Sequence, residues 1–206
     1  MNRSIQSIQK MCLRAAAGLL RDRSGIAATE FAVIVPIMLV MFFGTVEFSS
    51  GVAIDRKVTI MARTVADLTS QSASVNDTDL ANFFAASLAI MTPYSSTPTN
   101  ATVSELYIDP ASGDARVQWS KGSAPRAVSS KVSIPTSLIS RDPVTNAIIA
   151  NQYLIFAEVN YLYVPTIGYV MVKTGVTLSD VAYTRPRQST CVFYPSTPSP
   201  ATCPIS

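Results

Sequence analysis

The sequence predicts an α+β protein in which a long N-terminal transmembrane helix, or stalk, precedes a small extracytoplasmic head. Three observations lead to this fold class. An apolar run fills residues 26–46, a helical pattern continues it to about residue 69, and period-two strand patterns fill much of the remainder. We expect the head to hold a four-stranded, mainly antiparallel sheet and one or two helices. A chain of 206 residues with 48% apolar composition is long enough for one such domain beside a membrane span.

The chain is expected to divide into four segments. These are a basic cytoplasmic leader at 1–25, a transmembrane and extended stalk helix at 26–70, the α+β head at 71–184 and a proline-rich tail at 185–206. Five of the 16 basic residues and one of the 13 acidic residues precede the end of the leader, so the remainder carries a net charge of −1. No basic patch is left there to bind nucleic acid, and we expect no nucleic-acid partner.

The apolar run from Ile26 to Val46 is long enough to cross a membrane once. About 21 helical residues at roughly 1.5 Å each extend about 30 Å, which is the thickness of the hydrocarbon core of a bilayer. Because positive charge concentrates before the run, the N-terminus is expected in the cytoplasm and the bulk of the chain across the membrane. A secretory signal peptide is the competing interpretation, but its charged region would be unusually long and no A-x-A-like cleavage site follows.

A single carboxylate, Glu30, lies about five residues inside this span. A charged acid at that depth costs a few kcal/mol unless it finds a partner or a watery edge, so it is a functional candidate. The competing interpretation is that Glu30 only marks the start of the helix near the headgroups, and the carboxylate alone does not decide between the two. Pro36 predicts a kink, because proline removes one N–H from the helical hydrogen bonds.

Helical spacing continues after the span. Apolar residues alternate at intervals of four and three, a seam that packs either on the chain's own domain or on neighbouring subunits. The seam comprises Ile54, Val58, Met61, Val65 and Leu68. A second helix is predicted from about Thr78 to Met91, with Asp77 or Thr78 as its N-cap and Pro93 as its stop.

The pattern then changes to a period of two, which is typical of strands. The four predicted strands are Thr102–Ile108, Ala115–Ser120, Tyr153–Val164 and Gly175–Tyr183. The turn-forming residues 109–114 join the first two into a hairpin. Residues 123–151 read as irregular chain with one helical turn near Thr136–Ile139, and Glu158 is expected on a solvated face of its strand.

The tail is too rich in proline for a packed element, so another device must hold it. Cys191 and Cys203 are the two cysteines beyond the membrane, and an even count in an oxidising compartment favours one disulfide between them. The absence of histidine removes the usual general base and the commonest metal ligand. We therefore expect no enzyme activity, no metal site, no cofactor and no small-molecule substrate.

Gly25, four intervening residues, then Glu30 and Phe31 form the pattern G-x-x-x-x-E-F after a basic leader, which resembles the processing site of type IV prepilins. Five stretches of the chain together resemble TadE/TadG-like proteins of bacterial tight-adherence (Flp) pilus systems. They are the GIAATEF start, the tract around Pro36, VTIMARTVADLTSQ, YLYVP and YTRPR. The short chain favours the TadE-type role over the longer TadG type.

The resemblance implies a minor pilin-like protein, or pseudopilin, of the bacterial inner membrane with a periplasmic C-terminal domain. A prepilin peptidase would cleave between Gly25 and Ile26, and Glu30 with Phe31 would complete the processing and assembly motif. The implied partners are that peptidase, other pilus subunits and assembly proteins, and the implied role is fibre assembly and surface adhesion. The alternative is an unprocessed bitopic anchor that presents a periplasmic protein-binding domain.

Overall fold

The structure, a computed structural model, describes residue 18 and residues 24–165, 174–195 and 203. Most of the predicted leader therefore lies outside the described residues. Its contacts divide the chain into two compact units, Met1–Glu47 and Phe48–Ser206, which we describe separately. The α+β fold class is confirmed.

The long helix, α1, spans Ser24–Ser70 and agrees closely with the predicted limits. Pro36 lies inside it, where its ring nitrogen cannot donate a hydrogen bond to the preceding turn. The kink at this proline remains a prediction. The helix ends where the N–H of Gln71 bonds to the carbonyl of Asp67 at 3.2 Å and the N–H of Ser72 bonds to that of Thr69 at 3.2 Å. These bonds tighten the last turn and satisfy carbonyls that have no helical partner.

In the second unit, the α1 residues of the predicted seam bury their side chains against the sheet. Four of them are at most 2% exposed, namely Ile54, Val58, Met61 and Val65. Leu68 is half-buried. Since the four buried residues belong to the main hydrophobic core of the unit, the seam packs on the chain's own domain. This is the first of the two alternatives that the sequence left open.

The second helix, α2, spans Asp77–Leu88 and continues as a short 3-10 turn over Ala89–Met91. Its N-cap is Asn76, so the predicted cap at Asp77 or Thr78 is wrong. The Asn76 side chain accepts the N–H of Asp79 at 2.9 Å, and the Asp79 carboxylate accepts the N–H of Asn76 at 3.1 Å. This reciprocal pair satisfies two N–H groups that the first turn leaves free.

Over the part of the chain that the structure describes, the sheet has five strands in the order β3-β2-β1-β4-β5, and every pairing is antiparallel. The strands are β1 Thr99–Ile108, β2 Ala115–Gly122, β3 Lys131–Val132, β4 Gln152–Tyr163 and β5 Val176–Thr184. The predicted count of four is therefore corrected to five. The added strand β3 has only two residues, too few to show a period, and it lies in the stretch predicted as irregular.

Both faces of the sheet are covered, which explains why eight consecutive residues of β1 are buried. One face packs against α1 through alternate residues such as Val103, Ile155 and Val159. The other face is covered by residues 123–151, which include a 3-10 turn at Thr136–Leu138. Its core consists of Leu106, Ile108, Ala115, Val117, Val132, Leu154 and Phe156.

The predicted hairpin turn between β1 and β2 is confirmed. The N–H of Gly113 bonds to the carbonyl of Asp109 at 2.8 Å, and the N–H of Asp109 bonds to the carbonyl of Asp114 at 2.9 Å. Gly113 has φ of +78°, a left-handed conformation that glycine adopts at little cost. The turn chemistry read from the sequence therefore fixes the register of β1 and β2 at this end of β1.

Candidate functional site

The residues of the predicted processing motif all lie near the start of α1. Gly25 is exposed, and a side chain at this position would meet no described residue within 4 Å. Ile26 and Glu30 are four positions apart, so they share one face of the helix. Phe31 is 69% exposed. The structure therefore presents Gly25, Ile26, Glu30 and Phe31 together on an open helix surface, and nothing in it tests cleavage.

An apolar surface surrounds this part of α1. Its exposed large side chains are Ile26, Phe31, Val33, Ile34, Ile37, Met38, Leu39, Val40, Met41, Phe42, Phe43 and Val46. Among the described residues, one helix, α1, is long and apolar enough to cross a membrane, and its most apolar stretch is not buried within the structure. Side chains that are apolar all round a helix are typical of a membrane span.

A second cluster holds the tail in the other unit. We call residues 185–195 the tail strap. Its backbone pairs with the chain between the helices, because Val75 donates to the carbonyl of Phe193 at 2.9 Å and Phe193 donates to that of Ala73 at 3.1 Å. Arg187 adds an ion pair to Asp67 and a backbone bond to the carbonyl of Ser70 at 2.9 Å. The end of α1 and the segment after it therefore fasten the strap.

Glu105 of β1 anchors the middle of the strap and is completely buried. One carboxylate oxygen accepts the N–H of Val192, and the other accepts Nε1–H of Trp119 at 3.1 Å. The same Nε1–H also donates to the carbonyl of Val192 at 2.7 Å, which is the better of its two bonds. An acid of one strand and an indole of the next therefore bind both backbone groups of a single strap residue.

Burial raises the pKa of Glu105 to about 8, and the bonds from Val192 and Trp119 offset only part of this effect. Among the described residues, no basic side chain lies within ion-pair distance of it. Tyr107 and Tyr153 lie near it, and burial together with the Glu105 charge raises the pKa of Tyr153 to about 12. The fold therefore favours the neutral acid at this position.

The strap is also held by its cysteine and its last aromatic ring. Cys191 and Cys203 are joined in a disulfide. The hydroxyl of Tyr194 donates to Asp77 at 2.7 Å, and the ammonium of Lys121 lies 4.5 Å from the centre of the Tyr194 ring. The bonds from Tyr194 and then Lys121 lower the pKa of Asp77. This network spans α2, β2 and the strap.

Glu158 of β4, expected on a solvated face, is half-buried and paired with Arg126. The two bonds of this pair are both 2.6 Å long, which is the bidentate geometry of an arginine and a carboxylate. The pair connects β4 to the loop over the second face of the sheet. Among the described residues, no group of histidine, cysteine, aspartate or glutamate side chains could hold a metal ion. The clustered polar groups of this unit hold chain segments together.

Sequence reasoning did not single out Glu105. Its strand was predicted, and its position in the alternation, two residues from Val103 and two from Tyr107, places it on the face toward the core. That placement was the available signal for a buried acid. The partner that explains it, Val192, is 87 residues away in the chain and could not be identified from spacing.

Residues 25–67 match the family model described as TadE-like protein. The match confirms the resemblance over this segment, which covers the apolar part of α1 and most of its packing seam. No curated protein and no solved structure gave a significant match to the chain. A TadE-like segment indicates a component associated with the tight-adherence pilus, which works with other pilus components and with a membrane.

Proposed function

We propose, with the TadE-like segment at residues 25–67 as the premise, that this chain is a pseudopilin of the tight-adherence pilus. Its leader is removed by a prepilin peptidase, its apolar helix stays in the inner membrane, and it acts in assembly of the adhesive fibre. The observation that carries the proposal is the apolar helix surface over residues 26–46, which contains one charged residue, Glu30, close to its start. A generic anchor needs no carboxylate at that depth.

Cleavage is expected between Gly25 and Ile26. This bond lies at the N-terminal end of the described part of α1. A peptidase needs the backbone extended, so the helix must open here. Glycine stabilises a helix least among residues other than proline, so opening the helix at Gly25 costs less than opening it at another residue type. No described residue lies close to the Cβ position of Gly25, which supports access by an enzyme.

Removal of the leader changes the surroundings of Glu30. Ile26 gains an ammonium group, and Glu30 becomes the fifth residue of the helix, near the end where the helix dipole favours an acid. The new positive charge at the edge of the hydrocarbon needs a carboxylate. Glu30 can neutralise the ammonium of its own helix or that of a neighbouring subunit. Only the second pairing selects a partner and sets the axial register of assembly.

The leader and the tail support one orientation. All positive charges of the leader precede the span, which favours a cytoplasmic N-terminus. The disulfide between Cys191 and Cys203 at the other end fits an oxidising compartment such as the periplasm.

N-terminal sequencing of the membrane-bound protein, from cells that contain the matching peptidase, tests the processing step. The wild type should begin at Ile26, and Gly25→Leu should begin at Met1. Gly18→Leu is the matched control, because Gly18 is another exposed glycine of the leader with no described residue within 4 Å of its Cβ position. It should be cleaved like the wild type. A wild-type protein that keeps Met1 would favour the unprocessed bitopic anchor.

The assembly step is tested separately with Glu30→Ala. This variant keeps Gly25 and the span, so it should be cleaved and inserted, while recovery of other pilus subunits with it and the number of surface fibres should fall well below wild type. Thr29→Ala is the control, because it removes a neutral polar group whose hydroxyl bonds within the helix to the carbonyl of Ile26 at 2.8 Å. Normal fibres and partner recovery in Glu30→Ala would remove the assembly role of the acid.

A further inference from the structure

We propose that a groove between α1 and β5 binds an extended acidic peptide segment of a partner, which adds a strand to the edge of the sheet. The groove has a volume of about 400 Å³ and is lined on one side by Ile60, Arg63 and Thr64 of α1 and on the other by Ala182, Tyr183 and Thr184 of β5. We call it the α1–β5 groove. It lies within the unit from Phe48 on, so the proposal holds whether or not the leader is cleaved.

The strand side of the groove is a sheet edge. Among the described residues, β5 is the last strand in the sheet order, and it pairs with β4 on one side. The N–H of Val181 bonds to Oδ1 of Asp180 at 2.8 Å and so is not used in the pairing with β4. Because an antiparallel ladder alternates, the backbone groups of Ser179 and Tyr183 also point away from β4. Open N–H and C=O groups at an edge are what an added strand binds.

Asp180 blocks part of this edge. Besides capping Val181, its carboxylate accepts the hydroxyl of Thr59 on α1, which holds it in place. The carbonyl of Val181 and both backbone groups of Tyr183 have no hydrogen-bond partner on the outer side among the described residues. Tyr183 lines the groove, and Val181 lies two positions before it. Among the described residues, the edge is therefore closed in the middle of β5 and open at the end where the groove lies.

The helix side of the groove determines which peptide fits. Arg63 is exposed and has no ion pair or hydrogen bond with any described residue. The nearby acid of the same groove, Asp67, is already paired with Arg187. An unpaired guanidinium is therefore the charge that a guest meets, and it favours a carboxylate. Ile60, which is 51% exposed and three positions before Arg63, offers an apolar contact on the same helix face.

The test uses the full-length protein in detergent micelles and fluorescein-labelled peptides, with binding followed by fluorescence polarisation. The acidic probe is acetyl-Thr-Val-Thr-Glu-Thr-Val-Thr-amide, and two companions carry Gln or Lys in place of Glu. The Glu peptide should bind about fivefold more tightly than the Gln peptide, and the Lys peptide should bind more weakly than either. Methylation of alternate backbone nitrogens in the Glu peptide should abolish binding, because it removes the donors of the added strand.

Two charge-reversal variants distinguish an effect of the groove on binding from an effect of the protein's overall charge. Arg63→Glu should reverse the order, so that the Lys peptide binds more tightly than the Glu peptide. Arg56→Glu makes the same change on α1 outside the groove, beside Phe48 and Val52, and should keep the wild-type order. The proposal is overturned if no peptide binds up to roughly 1 mM, if the order is the same in Arg63→Glu, if Arg56→Glu reverses it as well, or if the methylated peptide binds normally.

Discussion

Replacing Glu105 by glutamine should remove most of the decrease in stability that the wild type shows as the pH rises from about 5 to 8. The acid has a pKa of about 8 in the folded protein and an ordinary value of 4.5. Between these two values the folded state binds one more proton than the unfolded state, so the free energy of unfolding falls as the pH rises. The contribution is complete below the ordinary pKa and is lost as the pH rises through the folded value.

The size of the effect follows from the shift. A change of about 3.5 units corresponds to an order of 5 kcal/mol over the whole window, of which roughly 3–4 kcal/mol falls between pH 5 and pH 8. Glutamine cannot ionise, and its carbonyl can still accept the N–H of Val192. The absolute stability of Glu105→Gln also depends on where its new NH₂ group finds an acceptor. The change of the free energy of unfolding with pH does not depend on that acceptor, so this change is the quantity to compare.

The fluorescence of Trp119 reports unfolding at the position of Glu105 itself. Trp119 is the only tryptophan of the chain, and its indole N–H bonds to both Glu105 and Val192. Urea unfolding of the full-length protein in micelles, followed by tryptophan fluorescence across the pH window, measures stability beside the titrating group. Glu158→Gln is the control, because it removes an acid that is paired with Arg126 on the other face of the sheet. A wild-type stability that is flat or rises with pH, or an equal slope in Glu105→Gln, would refute the reasoning.

Three further predictions use the same urea assay. Cys203→Ser should lower the free energy of unfolding by up to about 3 kcal/mol, since Cys191 and Cys203 close a loop 12 residues long; an equal midpoint for wild type and variant under oxidising conditions would contradict this. Val58→Ala should lower the free energy of unfolding by about 2 kcal/mol, because it leaves a cavity. Val40→Ala should not lower it, because Val58 is 0% exposed and Val40 is 60% exposed. Equal effects of the two variants would count against a buried seam and an exposed apolar part in the same helix. Asn76→Ala should lower the free energy of unfolding by about 1 kcal/mol and Asn76→Asp by much less, because either Asn or Asp can accept an N–H of the first turn of α2. If both variants unfold at the same midpoint, the capping role of Asn76 is refuted.

The parts of the fold that repeat along the chain could be predicted from the sequence. α1, the hairpin of β1 and β2, and strand β4 each have enough residues to show a period, and the structure has all of them. The parts that depend on one residue or on distant contacts could not. The cap at Asn76 was placed one or two residues late, because several polar residues in a row all suit a cap.

The residues of the candidate site also fall into those that local sequence predicts and those that it does not. The positions of Gly25, Glu30 and Phe31 at the start of a helix follow from the sequence, because a motif and an apolar run are local features. The burial of Glu105 does not, since it depends on the tail strap returning to the sheet from 87 residues away. The open edge of β5 likewise depends on strand order, which no local pattern encodes. Interactions across the fold are therefore the part that required the structure.

The extent of the family match bears on where partner specificity lies. The match ends at residue 67 and includes the seam residues Val58, Met61 and Val65, but none of the strands. To bury this seam, the matched segment needs only an apolar surface packed against it. Many sheets can supply such a surface, because core packing depends mainly on the volume and polarity of the side chains. The α1–β5 groove has Arg63 on the matched side and Tyr183 on the unmatched side. A related chain can therefore keep the helix and its seam while it changes the strand edge, and with it the partner that the groove accepts.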